Sequence, residues 1–222
     1  MDETTKTVRL WGDCELAWCQ GRGIDIGCGP DPLPWATVRF DRSDGDANHI
    51  TRHVKGEFDF VYSAHCLEHM DDPRKCLPEW WSLVKPGGHL ILIVPDEDLY
   101  EQGVWPSRFN EDHKHSFSLA KRTSWSPVSI NILPLVSALP EAVLILAEIQ
   151  DSGYDRSKQH FGPIPDPFIA RLVGKLAQWK FLPSDFSNRI VRRLRPAIDQ
   201  TLHHGALAQI MVVVQRARGD ST

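Results

Sequence analysis

Short apolar runs recur through the first hundred residues, each closed by an acid, a glycine or a proline. This pattern predicts a sheet of short buried strands. Residues 22–26, 37–41 and 58–63 are the first three runs, and the fourth follows Lys85-Pro86-Gly87-Gly88 as the apolar stretch at 89–95. A helix stopped by proline and glycine and followed by unbroken hydrophobics fits a strand covered on both faces. Where the period lengthens, helices are expected over 8–20, 72–84 and 133–139. Asp71 and Asp72 put negative charge at the positive end of the second helix, with Pro73 in its first turn. Leu77, Trp80 and Trp81 then face the sheet as core. Residues 142–149 and 206–214 read as the remaining strands.

The connections are less ordinary than the strands. Only residues 30–36, with prolines at 30, 32 and 34, separate the first two runs, and that leaves no room for a full helix. After the second run, Ser43-Asp44-Gly45-Asp46 reads as loop, so the next helix is missing or reduced to a turn.

The turn after the first strand carries the chemistry. In Gly23-Ile24-Asp25-Ile26-Gly27-Cys28-Gly29-Pro30, Gly27 and Gly29 lack the Cβ atoms that keep a ligand off the backbone. A dinucleotide fingerprint needs a third glycine where this chain has Pro32. A carboxylate at Asp25 would repel a pyrophosphate and welcome an amine. These residues favour S-adenosylmethionine (SAM), which carries an amine and a sulfonium and no phosphate. Asp41, closing the second strand, is suited to accept both ribose hydroxyls through its two oxygens.

Two further segments, Ser63-Ala64-His65-Cys66-Leu67-Glu68-His69 and Lys85-Pro86-Gly87-Gly88, complete a pattern over residues 20–100 that resembles the class I SAM-dependent methyltransferases of the type 11-like group. Pro95-Asp96-Glu97-Asp98-Leu99-Tyr100 and Asn110-Glu111-Asp112-His113-Lys114-His115 are similar to segments of small members from bacterial surface-polysaccharide biosynthesis. The resemblance implies a single α/β domain with a Rossmann-like, mostly parallel sheet. Its last strand is expected antiparallel, between the strands at 89–95 and 142–149. The resemblance also implies SAM as cofactor, with Asp46 and Ala47 at the adenine and Ser63 and His65 toward the methionine end.

Composition narrows the partners. A net charge of −4 over 222 residues offers no global attraction to nucleic acid. Five cysteines without a Cys-x-x-Cys pair argue against a disulfide framework or a cysteine zinc site, and suit a reducing cytosol. The polar N-terminus has no secretory character, and no apolar run reaches the length of a membrane span. The exception to the even charge is residues 155–204, which hold nine Lys or Arg and two expected helices at 166–180 and 185–195. This insertion reads either as a helical cap or homodimer interface, or as a basic amphipathic surface for peripheral contact with the inner face of an anionic membrane.

Histidines are the candidates for chemistry beyond cofactor binding. His65 and His69 share a helix face at four-residue spacing, but a metal site needs at least three well-placed ligands. The segment is therefore read without metal, with Glu68 and His69 making structural hydrogen bonds. His113 is the candidate general base, because an imidazole titrates near neutrality, and Asp112, His115, Asp151 and Tyr154 are candidate acceptor contacts. The expected activity is O-methylation of a saccharide or lipid-linked saccharide of a bacterial envelope pathway. Two alternatives stand beside it: methylation of a small lipophilic metabolite such as a quinone precursor, and a non-catalytic SAM-binding partner subunit.

Overall fold

The computed structural model describes residues 3–163, 197–203 and 205–218. Eight strands follow in chain order: β1 (Gly23–Ile26), β2 (Val38–Phe40), β3 (Phe58–Ala64), β4 (Val84–Pro95), β5 (Ser116–Ser118), β6 (Ser129–Asn131), β7 (Ala142–Gln150) and β8 (Gln209–Arg216). The helices are α1 (Glu3–Val8), α2 (Asp13–Trp18), α3 (Pro73–Ser82), α4 (Ile132–Ser137) and α5 (Gln200–His203). Six strands form one sheet in the order β2-β1-β3-β4-β8-β7, while β5 and β6 pair separately. The pairs from β2 to β4 are parallel, and β8 runs antiparallel to both β4 and β7, as expected for the last strand. Parallel strands deliver their carboxyl ends to one edge, so the segments after β1, β2 and β3 meet there.

Alternation along the strands divides the core in two. Ile24, Val61, Leu90, Leu92 and Val212 pack on one face with Leu77, Trp80 and Trp81 of α3, which are all buried. Phe60, Tyr62, Ile91, Ile93 and Met211 pack on the other with Leu33 and Cys19. Leu33 shows how the proline-rich connection replaces a helix. Its side chain is fully buried in that face, its N–H donates to Asp25 Oδ2 at 2.7 Å, and nearby Trp35 lies 6.3 Å from Trp11 between ring centres. On the opposite face, Trp80 Nε1 donates to the Ala47 carbonyl at 2.8 Å and anchors the 3-10 turn Ala47–Arg52, which stands where the second connection lacks a helix.

Several element limits differ from the sequence expectation. The helix expected over 8–20 is confined to α2, because α1 ends at Val8, the chain bends at residues 9–12 and restarts where Glu15 Oε2 accepts the Gly12 N–H at 2.9 Å. Strand β4 begins at Val84, earlier than expected, and its register against β3 shifts between Phe58 and Phe60 to absorb the glycine pair. The three-residue strands β5 and β6 are too short for periodicity to reveal. The helices expected at 166–180 and 185–195, and most of the basic insertion, lie outside the described residues. Among the described residues no helix is long and apolar enough to cross a membrane.

Candidate functional site

The carboxyl edge of β1, β2 and β3 is lined by two adjoining cavities of about 650 and about 200 Å³, which share Gly27, His65 and His69 and so form one groove. Asp41, Asp46, Ala47 and Met70 wall the larger cavity, and Gly29, Asp31, Glu68, Tyr100, His113 and Gln209 wall the smaller. The two glycines of the turn serve different ends. At Gly27 (φ +77°) a Cβ would stand 2.5 Å from Cys66 Sγ, so glycine lets the turn close against the segment after β3. At Gly29 (φ +50°) a Cβ would meet nothing within 4 Å, so that backbone lies open to the cavity. Asp41 projects into the larger cavity, and its carboxylate has no hydrogen-bond partner among the described residues. Asp46 caps the 3-10 turn, accepting from Asn48 N and Nδ2 at 2.9 Å, and those bonds hold its carboxyl below the usual carboxylate range.

The smaller cavity contains a carboxylate in an unusual setting. Glu68 is fully buried, and among the described residues neither of its oxygens has a hydrogen-bond partner. Three imidazoles surround it: His65 Nδ1 at 3.6 Å, His69 Nε2 at 3.9 Å and His113 Nε2 at 3.9 Å from Oε1. The backbone builds this convergence, because the Glu68 carbonyl accepts the N–H groups of Lys114 at 2.9 Å and His115 at 3.1 Å and pins the 113–115 segment to the turn after β3. His113 is itself buried, with Nδ1 donating to Glu101 Oε1 at 2.8 Å. Burial opposes ionisation of Glu68, but the His65 imidazole at 3.6 Å, with His113 and His69 beyond it, outweighs burial and holds the carboxyl below its ordinary range. At His65, burial opposes protonation, and the Glu68 carboxylate at 3.6 Å, with Glu3 and Gln209 on the other side of the ring, outweighs it and raises the imidazole above its ordinary range.

A family model described as a methyltransferase domain matches residues 15–125, half of the chain. The chain belongs to the SAM-dependent methyltransferases. A curated relative, the ubiquinone biosynthesis O-methyltransferase of Cronobacter sakazakii, is 32% identical over 77 residues, covering 32% of this chain and 31% of the relative. The chain thus matches about a third of that relative's length. Among solved structures, a SAM-dependent methyltransferase from Thermotoga maritima has a TM-score of 0.49 at 14% identity, covering 97% of this chain and 88% of its own. One from Archaeoglobus fulgidus has a TM-score of 0.48 at 14% identity, covering 97% and 94%.

In this methyltransferase the residues singled out from sequence fall into three groups. Gly27, Gly29, Asp41, Asp46, Ala47, His65, Asp112 and His113 line the groove. Asp25 lies beneath it. Its carboxylate is buried and committed to the Leu33 N–H, and burial pushes its pKa up to about 7, so the open carboxylate expected at the glycine turn is instead a brace for the proline-rich connection. Ser63, His115, Asp151 and Tyr154 stand elsewhere. Ser63 Oγ donates to the Ile26 carbonyl at 2.9 Å and ties β3 to β1. Tyr154 donates to the Leu99 carbonyl at 2.7 Å, Asp151 pairs with Arg156 at 2.6 Å, and His115 reaches the Asp71 carbonyl at 3.3 Å. Sequence reasoning overlooked Glu3 and Thr4 of α1, which roof the smaller cavity, together with Asp31, Tyr100 and Gln209 on its wall and Glu101 behind His113. The one local signal was Glu68 itself, an acid between Leu67 and Met70 in a turn that packs inward.

Proposed function

We propose that the methyltransferase O-methylates a saccharide, free or lipid-linked, in a bacterial envelope pathway. The observation that carries this reading is the smaller cavity. It opens beside Gly29 and presents Glu3, Asp31, His65, Asn110, His113 and Gln209, groups that bond hydroxyls rather than an apolar ring. SAM supplies a methyl group already activated by its sulfonium, ready for in-line displacement by an acceptor oxygen. The residues present fit it. The unpartnered Asp41 carboxylate takes the ribose hydroxyls, Asp46 and Ala47 border the adenine, and the bare backbone at Gly29 lets the methionine end lie close, with His65 beyond it. The protein's part is then mainly positioning, and holding the reacting atoms about 3 Å apart replaces an encounter that would otherwise cost roughly 7–11 kcal/mol. His113 and its neighbours act on the acceptor hydroxyl from the far wall. A transfer assay with labelled SAM against fractionated glycans, lipids and phenols tests the acceptor: label is expected in the glycan or glycolipid fraction.

A second reading takes a phenolic, quinone-like acceptor. It is favoured by the partial match to a ubiquinone biosynthesis O-methyltransferase and by the apolar contribution of Ala64, Tyr100 and Ala208 to the same wall. Label confined to the phenol fraction would select it.

A further inference from the structure

We propose that Glu68, His69 and His113 form a binding site for one divalent transition-metal cation of the Zn²⁺ type. Their ligand atoms lie within 4.8 Å of one another. The hydrogen bonds on the outer side of the two rings decide what faces inward. His69 Nδ1 meets the Asp112 carbonyl at 3.0 Å and His113 Nδ1 meets the Glu101 carboxylate at 2.8 Å, and both partners only accept, so each Nδ1 carries the proton. In the singly protonated rings both Nε2 atoms therefore turn lone pairs toward a carboxylate whose two oxygens have no partner.

His65 stands on one side of the carboxylate at 3.6 Å, and on the other the two lone pairs face it with no cation between them. An imidazolium would close on Glu68 to the roughly 2.7–2.9 Å of a charged hydrogen bond, yet both Nε2 atoms stand 3.9 Å away. Ligands of one tetrahedral cation are about 3.4 Å apart when each bond is about 2.1 Å, so small side-chain rotations bring all three onto it. Two imidazoles and one carboxylate suit Zn²⁺ or Co²⁺ and poorly suit Mg²⁺, which prefers oxygen. Glu101 behind His113 and the Asp112 carbonyl behind His69 are the outer partners that orient metal-binding histidines. The sequence expectation of no metal counted only the 65–69 segment, and the third ligand arrives from 44 residues beyond His69.

The three ligands leave coordination positions open toward the smaller cavity. An acceptor hydroxyl entering there would be acidified by the cation. Its proton passes to solvent, the O–C bond forms as the C–S bond breaks, and the electron pair of that bond stays on sulfur. This use rests on the acceptor site proposed above. Metal binding itself is measured without SAM or acceptor, so the two ideas fail separately.

The test is a visible-absorption titration of the EDTA-stripped full chain with CoCl₂, followed by ZnCl₂ competition, with MgCl₂ as control. The expected result is a d–d band that saturates at one Co²⁺ per chain, is removed by Zn²⁺ and is untouched by Mg²⁺. Glu68→Gln and His69→Asn should each weaken binding more than tenfold, and Glu101→Gln by roughly 10–100-fold. Circular dichroism establishes that each variant is folded, and His69→Asn, at the half-exposed rim, decides if Glu68→Gln does not fold. Absence of a saturable one-to-one band, or a folded ligand variant that titrates like the wild type, overturns the proposal.

Discussion

Glu97 and Glu68 are equally buried, each with no exposed surface, and they follow the adjacent strands β4 and β3 at the same sheet edge. Their surroundings differ. Glu97 receives Lys121 Nζ at 2.7 Å and Ser124 Oγ at 2.8 Å, with Ser116 Oγ at 3.4 Å, so the charge is neutralised and its lone pairs are occupied. Glu68 receives no hydrogen bond and faces three imidazoles. A buried carboxylate is tolerated when paired and hydrogen-bonded, and is costly otherwise. Glu97 therefore holds the 116–131 region to the turn after β4. Glu68 is compensated only by the imidazoles around it, His65 nearest at 3.6 Å, and keeps both oxygens open to a cation.

Breaking the satisfied site should cost most. Glu97→Ala leaves Lys121 to Asp98 alone and removes the charge-assisted bonds from Lys121 and Ser124, at about 1.5–3 kcal/mol each, so a loss of about 3–5 kcal/mol is expected in urea denaturation. A loss under about 1 kcal/mol would erase the contrast between the two glutamates.

Asp25 lies between the extremes, with one backbone hydrogen bond and a pKa raised by burial from 3.8 to about 7. The folded protein binds this proton more tightly than the unfolded chain. The stabilisation is complete below about pH 4 and is lost as pH rises toward 7, by up to about 4 kcal/mol. Asp25→Asn keeps the acceptor and cannot ionise. Its stability relative to wild type should thus climb from pH 5 to pH 8, and parallel melting curves across that range would show that Asp25 does not titrate as described.

Asp41 sharpens the comparison from the solvent side, as an acid in the groove with no partner to lose. Asp41→Ala should leave the melting temperature unchanged while weakening SAM binding by roughly tenfold or more, the 1.5–3 kcal/mol of charge-assisted hydrogen bonds. Calorimetric titration reads this directly, and an unaltered dissociation constant removes Asp41 from the cofactor site.

A small effect on stability is expected at Glu68 too. In metal-free buffer Glu68→Gln removes a desolvated charge and sacrifices no hydrogen bond, so unfolding should shift by less than about 1 kcal/mol. Turnover should collapse in the same variant. A large destabilisation without loss of turnover would make Glu68 a structural acid like Glu97.

Much of the framework was legible because its signals are local. Apolar runs at strand spacing, the acids and proline that open α3, and the glycine turn after β1 each follow from steric and burial rules acting over a few residues. The missing helices before and after β2 were legible for the same reason, since three prolines and a Ser-Asp-Gly-Asp loop exclude a helix wherever they fall. The strands β5 and β6 were not, because three residues carry no period and, unlike β2, they are closed by no acid or glycine turn. The site expected from sequence includes Asp41 and Gly29, which line the groove on the turns they end. It was misread at Ser63, His115, Asp151 and Tyr154, whose types suit an active site but whose partners are nearby carbonyls and, for Asp151, Arg156.

The sequence by itself determined the parallel-sheet framework, the cofactor class and the positions of the first turns, because those depend on neighbours along the chain. Only the tertiary structure decided which acids are free. Asp25 turned from an open carboxylate into a brace when Leu33 folded over it, and Glu68 became a buried carboxylate ringed by imidazoles when the Lys114 and His115 amides closed onto its carbonyl and brought His113 beside His69. Desolvation and convergence are properties of packing. Residues at 68, 69, 101 and 113 acquire them together only when β3, β4 and the following loop share one edge.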